Sequence, residues 1–283
     1  MVSDEGYFGP DSIFWQVNKE MYSLFGGARA LLMQAAHPLV SAGARQTSFY
    51  ARDPWKRLIR TVQLQLILAF GSKHEAESTA DRVNKLHETI NGIDPVTGQR
   101  YDALDLDLLL WVHATLEEST LLFYERTVRP LTPAEREQYH RENLTSAELI
   151  LLPREHVPST YPELREYIAG VVAGADLLLT DVALEVFELM RGGPVPVPVK
   201  PVWLFIAFAA RGTLPDELQE LYNITWDGKR QRLLDANLVM LRRARPFLPD
   251  RLRTVRPAAW AQRRLAGEHI DLIGRAREAR RGM

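Results

Sequence analysis

Apolar residues recur three and four positions apart through most of the chain, and no stretch alternates apolar and polar residues as a half-buried strand does. The most continuous apolar run is Arg57–Gly71. It follows Asp53-Pro54-Trp55, stops at Gly71 and reads as a helix. Arg57, Arg60 and Thr61 share one face with Leu64 and Leu68. The opposite side carries Trp55, Leu58, Ile59, Val62, Leu66 and Phe70. A helix that is apolar nearly all round is normally buried, which would aim the two guanidinium groups at something other than bulk water. A buried guanidinium requires an anion, from the chain itself or from a ligand. The plainer alternative is a pair of solvated or salt-bridged arginines at the helix mouth.

On the N-terminal side, Asp11 or Ser12 caps a helix that buries Phe14, Trp15, Val17 and Met21, and Gly26-Gly27 interrupts the pattern. A small-residue helix, Ala28–His37, ends at His37-Pro38, because the residue before proline is biased away from helical geometry. Val40–Ala44 is again small, which suits tight helix packing or a flat ligand. Beyond the central run, Glu77–Ile90 is amphipathic, with Val83, Leu86, His87 and Ile90 on its apolar face. Asn91–Gly98 has loop chemistry throughout. Leu108–Val128 is a long helix opened by Asp105 or Asp107, with Trp111, His113, Leu116 and Phe123 as core. Thr132-Pro133-Ala134-Glu135 is a capping box with proline at the first helical position. Further helices are expected at Ser159–Ala169, Asp176–Met190, Pro201–Arg211, Pro215–Tyr222, Asp227–Arg243 and from Pro257. Arg191–Pro198, with its alternating prolines, reads as an extended linker over the surface. The fold class is all-α: a single compact multi-helix domain over 1–283, with the helices of about 200–283 completing the core.

Composition narrows the chemistry. The chain is 46% apolar and 25% charged, enough for both a sizeable core and a soluble surface. Its net charge of −1 gives no global signature for nucleic acid or an anionic membrane. The absence of cysteine excludes disulfides, thiolate-bound metals and cysteine nucleophiles. Met1–Gly6 has no hydrophobic signal core, and the longest apolar runs are too short for a transmembrane segment. The expected compartment is the cytoplasm.

Of the seven histidines, His74, His140 and His156 sit in polar contexts and are expected at the surface. His37, His87 and His113 are each embedded in apolar sequence, where a hydrogen-bonded core histidine is the commoner role than a ligand. A di-iron bundle needs two Glu-x-x-His motifs, and only Glu137–His140 matches. There is no His-Glu-x-x-His, no Gly-x-Ser-x-Gly and no nucleotide loop. His113 and Glu117 share a helix face, compatible with a mononuclear metal or with a simple hydrogen bond. Buried histidine and arginine in an all-α, cysteine-free chain suit b-type haem, with one axial imidazole and arginine facing the propionates or the distal side.

From about Gly26 to about Tyr167 the chain resembles the MpaB/latex-clearing-protein (rubber oxygenase) family, formerly a domain of unknown function. The resemblance rests on an ordered set of segments: Gln34-Ala35-Ala36-His37-Pro38, Arg57-Leu58-Ile59-Arg60-Thr61, Phe70-Gly71 and Arg82–His87. It continues through Gly92–Gly98, Leu110–Leu116, Tyr124-Glu125-Arg126 and Arg129-Pro130-Leu131. It implies a globin-like helical arrangement around haem b and an oxygenase that cleaves isoprenoid double bonds with dioxygen. It also implies a distal motif at Arg57, Arg60 and Thr61 and a proximal iron ligand at His87, with His113 as the second candidate. Where the rubber enzymes carry a distal lysine, this chain has Arg60. A guanidinium stays protonated and cannot ligate iron.

The reading that follows is a haem-dependent oxygenase in which Arg57, Arg60 and Thr61 polarise dioxygen. Leu64 and Leu68 exclude water beside a small apolar, isoprenoid-like substrate. The rival readings are a non-catalytic helical carrier or sensor of haem or lipid, and a helical interaction protein with core histidines. No nucleic-acid partner is indicated, and a homo-oligomer is compatible with the sequence.

Overall fold

The computed structural model describes residues 5–47, 54–193 and 195–281, with the side chains of 54–58 and 280–281 outside that description. It is all-α. The first helices are α1 (Ile13–Asn18), α2 (Gly26–Ala35), α3 (Pro38–Gln46), α4 (Pro54–Phe70) and α5 (Lys73–His87). They are followed by α6 (Leu106–Thr127), α7 (Pro133–Leu149), α8 (Tyr161–Ala173), α9 (Asp181–Gly192) and α10 (Lys200–Gly212). The C-terminal part holds α11 (Asp216–Leu221), α12 (Gly228–Ala244), α13 (Asp250–Arg253), α14 (Arg256–Leu265) and α15 (Leu272–Arg281). No single helix among the described residues is long and apolar enough to cross a membrane.

Local side-chain caps start about half of these helices. Ser12, Asp105, Thr160, Thr180 and Asp227 each accept a hydrogen bond from the backbone of the first turn that follows. Thr132 and Glu135 form the expected capping box ahead of α7. A second one, Ser72 with Glu75, starts α5 at Lys73, four residues earlier than the apolar periodicity suggested. His37 is extended (φ −82°, ψ 115°) and caps α3, so the break at His37-Pro38 is where the proline demands it. One of the loop expectations fails. The Asn91–Gly98 stretch is not all loop, because β1 (Asn91–Ile93) pairs antiparallel with β2 (Arg100–Asp102). Asp94 accepts from the backbone and hydroxyl of Thr97 and so shapes the turn, and Gly98 supplies its left-handed residue at φ 71°. Three residues per strand are too few for an alternating pattern to register.

The helix around which the others are arranged is α6, although Arg57–Gly71 is the most continuous apolar run. It is 22 residues long and packs on α1, α2, α7, α8 and α12. Gly26 brings α2 against α6 so closely that a Cβ there would lie 2.6 Å from the Ser119 carbonyl oxygen. The buried Arg29 of α2 pairs with Glu118 of α6, donates to Ser119 Oγ at 2.6 Å and reaches the Thr213 carbonyl at 2.8 Å. Among the described side chains of α4, Ile67, Leu68, Ala69 and Phe70 are the buried ones. Ile67–Phe70 is held by α1, through the edge-to-face pair Trp15–Phe70, and α14 and α15 also pack against α4. The main apolar cluster runs from Phe8 to Leu272 and includes Val255, Ala258 and Ala261 of the C-terminal helices.

Candidate active site

A cavity of about 330 Å³ lies among α2, α3, α4, α6, α7 and α9. Each wall is one stripe of a helix. Thr61, Val62, Gln65, Leu66 and Ala69 of α4 face Val112, His113, Leu116, Glu117 and Thr120 of α6. Both sets follow the three-to-four-residue spacing of a helix face. Gly27 and Ala30 make room on α2, while Val182, Val186 and Leu189 of α9 close the apolar side. One end of the lining is polar, with His113 and Glu117, Tyr139 and Asn143 of α7 and Asn18 at the end of α1, and Gln34, Ser41, Thr61 and Gln65 add polar groups from α2, α3 and α4.

Glu117 organises that end. Its carboxylate has no exposed surface. Oε1 meets His140 Nδ1 at 2.8 Å, and Oε2 accepts from Asn143 Nδ2 at 2.7 Å and lies 3.5 Å from His113 Nε2. Burial alone would raise its pKa, but the hydrogen bonds and charges of His113 and His140 outweigh burial and hold it at about 2. For His140, burial favours the neutral ring. The Glu117 carboxylate and the Pro158 carbonyl, 2.9 Å from Nε2, raise its pKa nonetheless. Tyr139 is buried and stays protonated, with its oxygen accepting from Asn18 Nδ2 at 3.2 Å.

The predicted site residues separate. Thr61 and His113 line the cavity. His87 and His37 do not. Each is half-buried, and each has a buried Nδ1 without a hydrogen-bond partner among the described residues and a pKa lowered mainly by burial. Arg60 is exposed, which agrees with the plainer alternative of a solvated or salt-bridged arginine at the helix mouth and not with a buried guanidinium. Leu68 lines the cavity and Leu64 does not. The side chain of Arg57 lies outside the described residues. His140, expected at the surface, is fully buried. Its helix is polar in sequence, and the burial comes from α6 and the Pro158 segment lying across it. The roles of His140, Asn143 and Tyr139 left no sequence signal, because their partners lie far away in the chain.

A match to the model of the family described as ER-bound oxygenase mpaB/B'/rubber oxygenase, catalytic domain, spans residues 15–248. The chain belongs to this oxygenase family. No curated protein and no solved structure matches it. The mpaB/rubber oxygenase domain reaches well beyond Tyr167, where the legible resemblance faded, and takes in α8 to α12. Every residue lining the cavity except Phe14 falls inside it. Among the described residues, no group of three or more His, Asp or Glu side chains is placed to hold a bare metal ion.

Proposed function

We propose that this oxygenase depends on haem b and acts with dioxygen on a small apolar, isoprenoid-like substrate. The observation that carries the reading is the buried Nδ1 of His87, which has no partner among the described residues, within an oxygenase domain that also encloses an apolar cavity. A buried polar atom without a partner is costly, and an imidazole kept neutral by burial has the lone pair an iron ligand needs. His113 fits that role less well, because its Nε2 faces Glu117 at 3.5 Å and Asn143 at 3.4 Å. His37 has the same orphaned Nδ1, so the assignment of His87 as the residue that would hold the haem rests also on the family resemblance; the haem when bound supplies dioxygen activation.

The chain's own residues account for the rest. Leu66, Leu116, Val182 and Val186 exclude water and seat the apolar body of a substrate. Thr61 and Gln65 offer hydrogen bonds from α4. Glu117 orients His113 and Asn143 at the polar end, where one oxygen-bearing group of the substrate can be bound. The test is an absorption spectrum of the purified protein, oxidised and reduced, followed by oxygen uptake with farnesyl-chain lipids. A Soret band and lipid-dependent uptake are expected. Protein that stays colourless after haem addition would remove the haem assignment. A red protein with no uptake would leave the carrier or sensor reading in its place.

A further inference from the structure

The near-zero net charge conceals a strong polarity. Residues 228–283 carry 15 Lys and Arg against 5 Asp and Glu, whereas residues 1–227 carry 20 against 31. Between α12 and α14 this basic segment forms a turn, Arg245–Arg253, with a phenylalanine at its tip. Phe247 is 87% exposed and Leu252 53% exposed. Exposed Arg243 and Arg251 flank the tip, and Arg256 follows. On α12 the stripe extends to Met240, 57% exposed and one turn before Arg243. Single exposed apolar residues are ordinary; an aromatic ring at the tip of a turn with arginines on both sides is the chemistry of an interfacial contact.

The exposure is held in place by the fold. Arg245 pairs with the buried Glu20, its Nε 2.8 Å from Oε2, and fixes one foot of the turn. The other foot is fixed by an isolated bridge between Thr254 and Glu20 and by the Val255 N–H donating to the Lys19 carbonyl at 2.8 Å. Between the feet, Leu248 N–H donates to the Arg245 carbonyl and Leu252 N–H to the Pro249 carbonyl. Asp250, the acidic residue of the turn, is paired with Arg253. The remaining charge facing outward is positive.

We infer that the Arg243–Arg256 turn docks the protein on an anionic phospholipid surface, with Phe247 and Leu252 entering the interface and Arg243, Arg251 and Arg256 meeting lipid phosphates. The charge polarity orients the molecule, since an anionic leaflet attracts the basic C-terminal region and repels the acidic remainder. A nucleic acid would satisfy the arginines, but it would leave the protruding Phe247–Leu252 pair without a comparable role. This inference does not rest on the oxygenase reading.

The test is flotation of the full chain with vesicles of phosphatidylcholine, alone and mixed with phosphatidylserine. Binding is expected only to the mixed vesicles and should weaken as salt rises. Arg243→Gln and Arg251→Gln should each weaken it about fivefold, and Phe247→Ser about tenfold. All three positions are exposed, and thermal melting of each variant would verify an intact fold. The inference is overturned by a wild-type chain that ignores the mixed vesicles at low salt, or by binding indifferent to Phe247→Ser. Binding to an RNA oligonucleotide that needs the arginines but not Phe247, with no vesicle binding, would assign the turn to nucleic acid instead.

Discussion

His140 Nδ1 lies 2.8 Å from Glu117 Oε1, and neither side chain has any exposed surface. The pair bolts α7 to α6 at the polar end of the cavity, and Asn143 and His113 share the second carboxylate oxygen. The network thus serves two purposes: it is structural, and it sets the hydrogen-bonding face that a substrate would meet.

Replacing Glu117 by glutamine should cost about 3 kcal/mol, the usual range for breaking a buried charged pair. The pH dependence has a definite sign. The carboxyl sits at about 2 in the fold against 4.5 ordinarily, so its contribution is complete above 4.5 and is lost as pH falls toward 2. His140 is shifted upward from 6.5, so its contribution is complete below 6.5 and is lost as pH rises through the raised value. The stability gap between wild type and Glu117→Gln should therefore be widest between about pH 4.5 and 6.5. Urea titrations across pH measure this, and a gap independent of pH would refute it.

His87→Ala should abolish the Soret band while leaving helical circular dichroism unchanged. His113→Ala should keep the band and lower stability by roughly 1–3 kcal/mol, because Glu117 loses one of its buried partners. The opposite pattern would transfer the ligand role to His113.

Leu116→Trp adds bulk to the cavity from the middle of α6. Since the space exists, stability should change by less than about 1.5 kcal/mol, while oxygen uptake with lipid substrates falls at least about tenfold through weaker substrate binding. Thermal melting and uptake assays separate the two effects. Unchanged uptake would place the substrate elsewhere.

Glu75 ties the α4–α5 junction to the C-terminal helices. It accepts from Ser72 N–H at 2.8 Å and from Leu272 N–H at 2.6 Å, and it lies 3.4 Å from Arg264. Arg264 also reaches the Phe70 carbonyl at 3.1 Å. Glu75→Ala should lower stability by roughly 2–4 kcal/mol and expose the C-terminal helices to limited proteolysis before the rest. Cleavage at the wild-type rate would show that apolar packing alone holds them.

Much of the helix layout could be read along the chain, because its causes act within one turn. Thr132 with Glu135, Asp105 ahead of α6 and the His37-Pro38 break depend on backbone groups three or four residues away, and the structure realises each. The shared face of His113 and Glu117 is a consequence of helical spacing and was legible in the same way. Burial was not. His140 stands in a polar helix and is buried by α6 across it, with its partner 23 positions earlier. Arg60 stands in an apolar helix and is exposed, while Ile67–Phe70 of the same helix are buried under α1 and the C-terminal helices. Short-range geometry is written in neighbouring residues. Which side chains lose water depends on what is packed over them, and that was decided only when distant segments met.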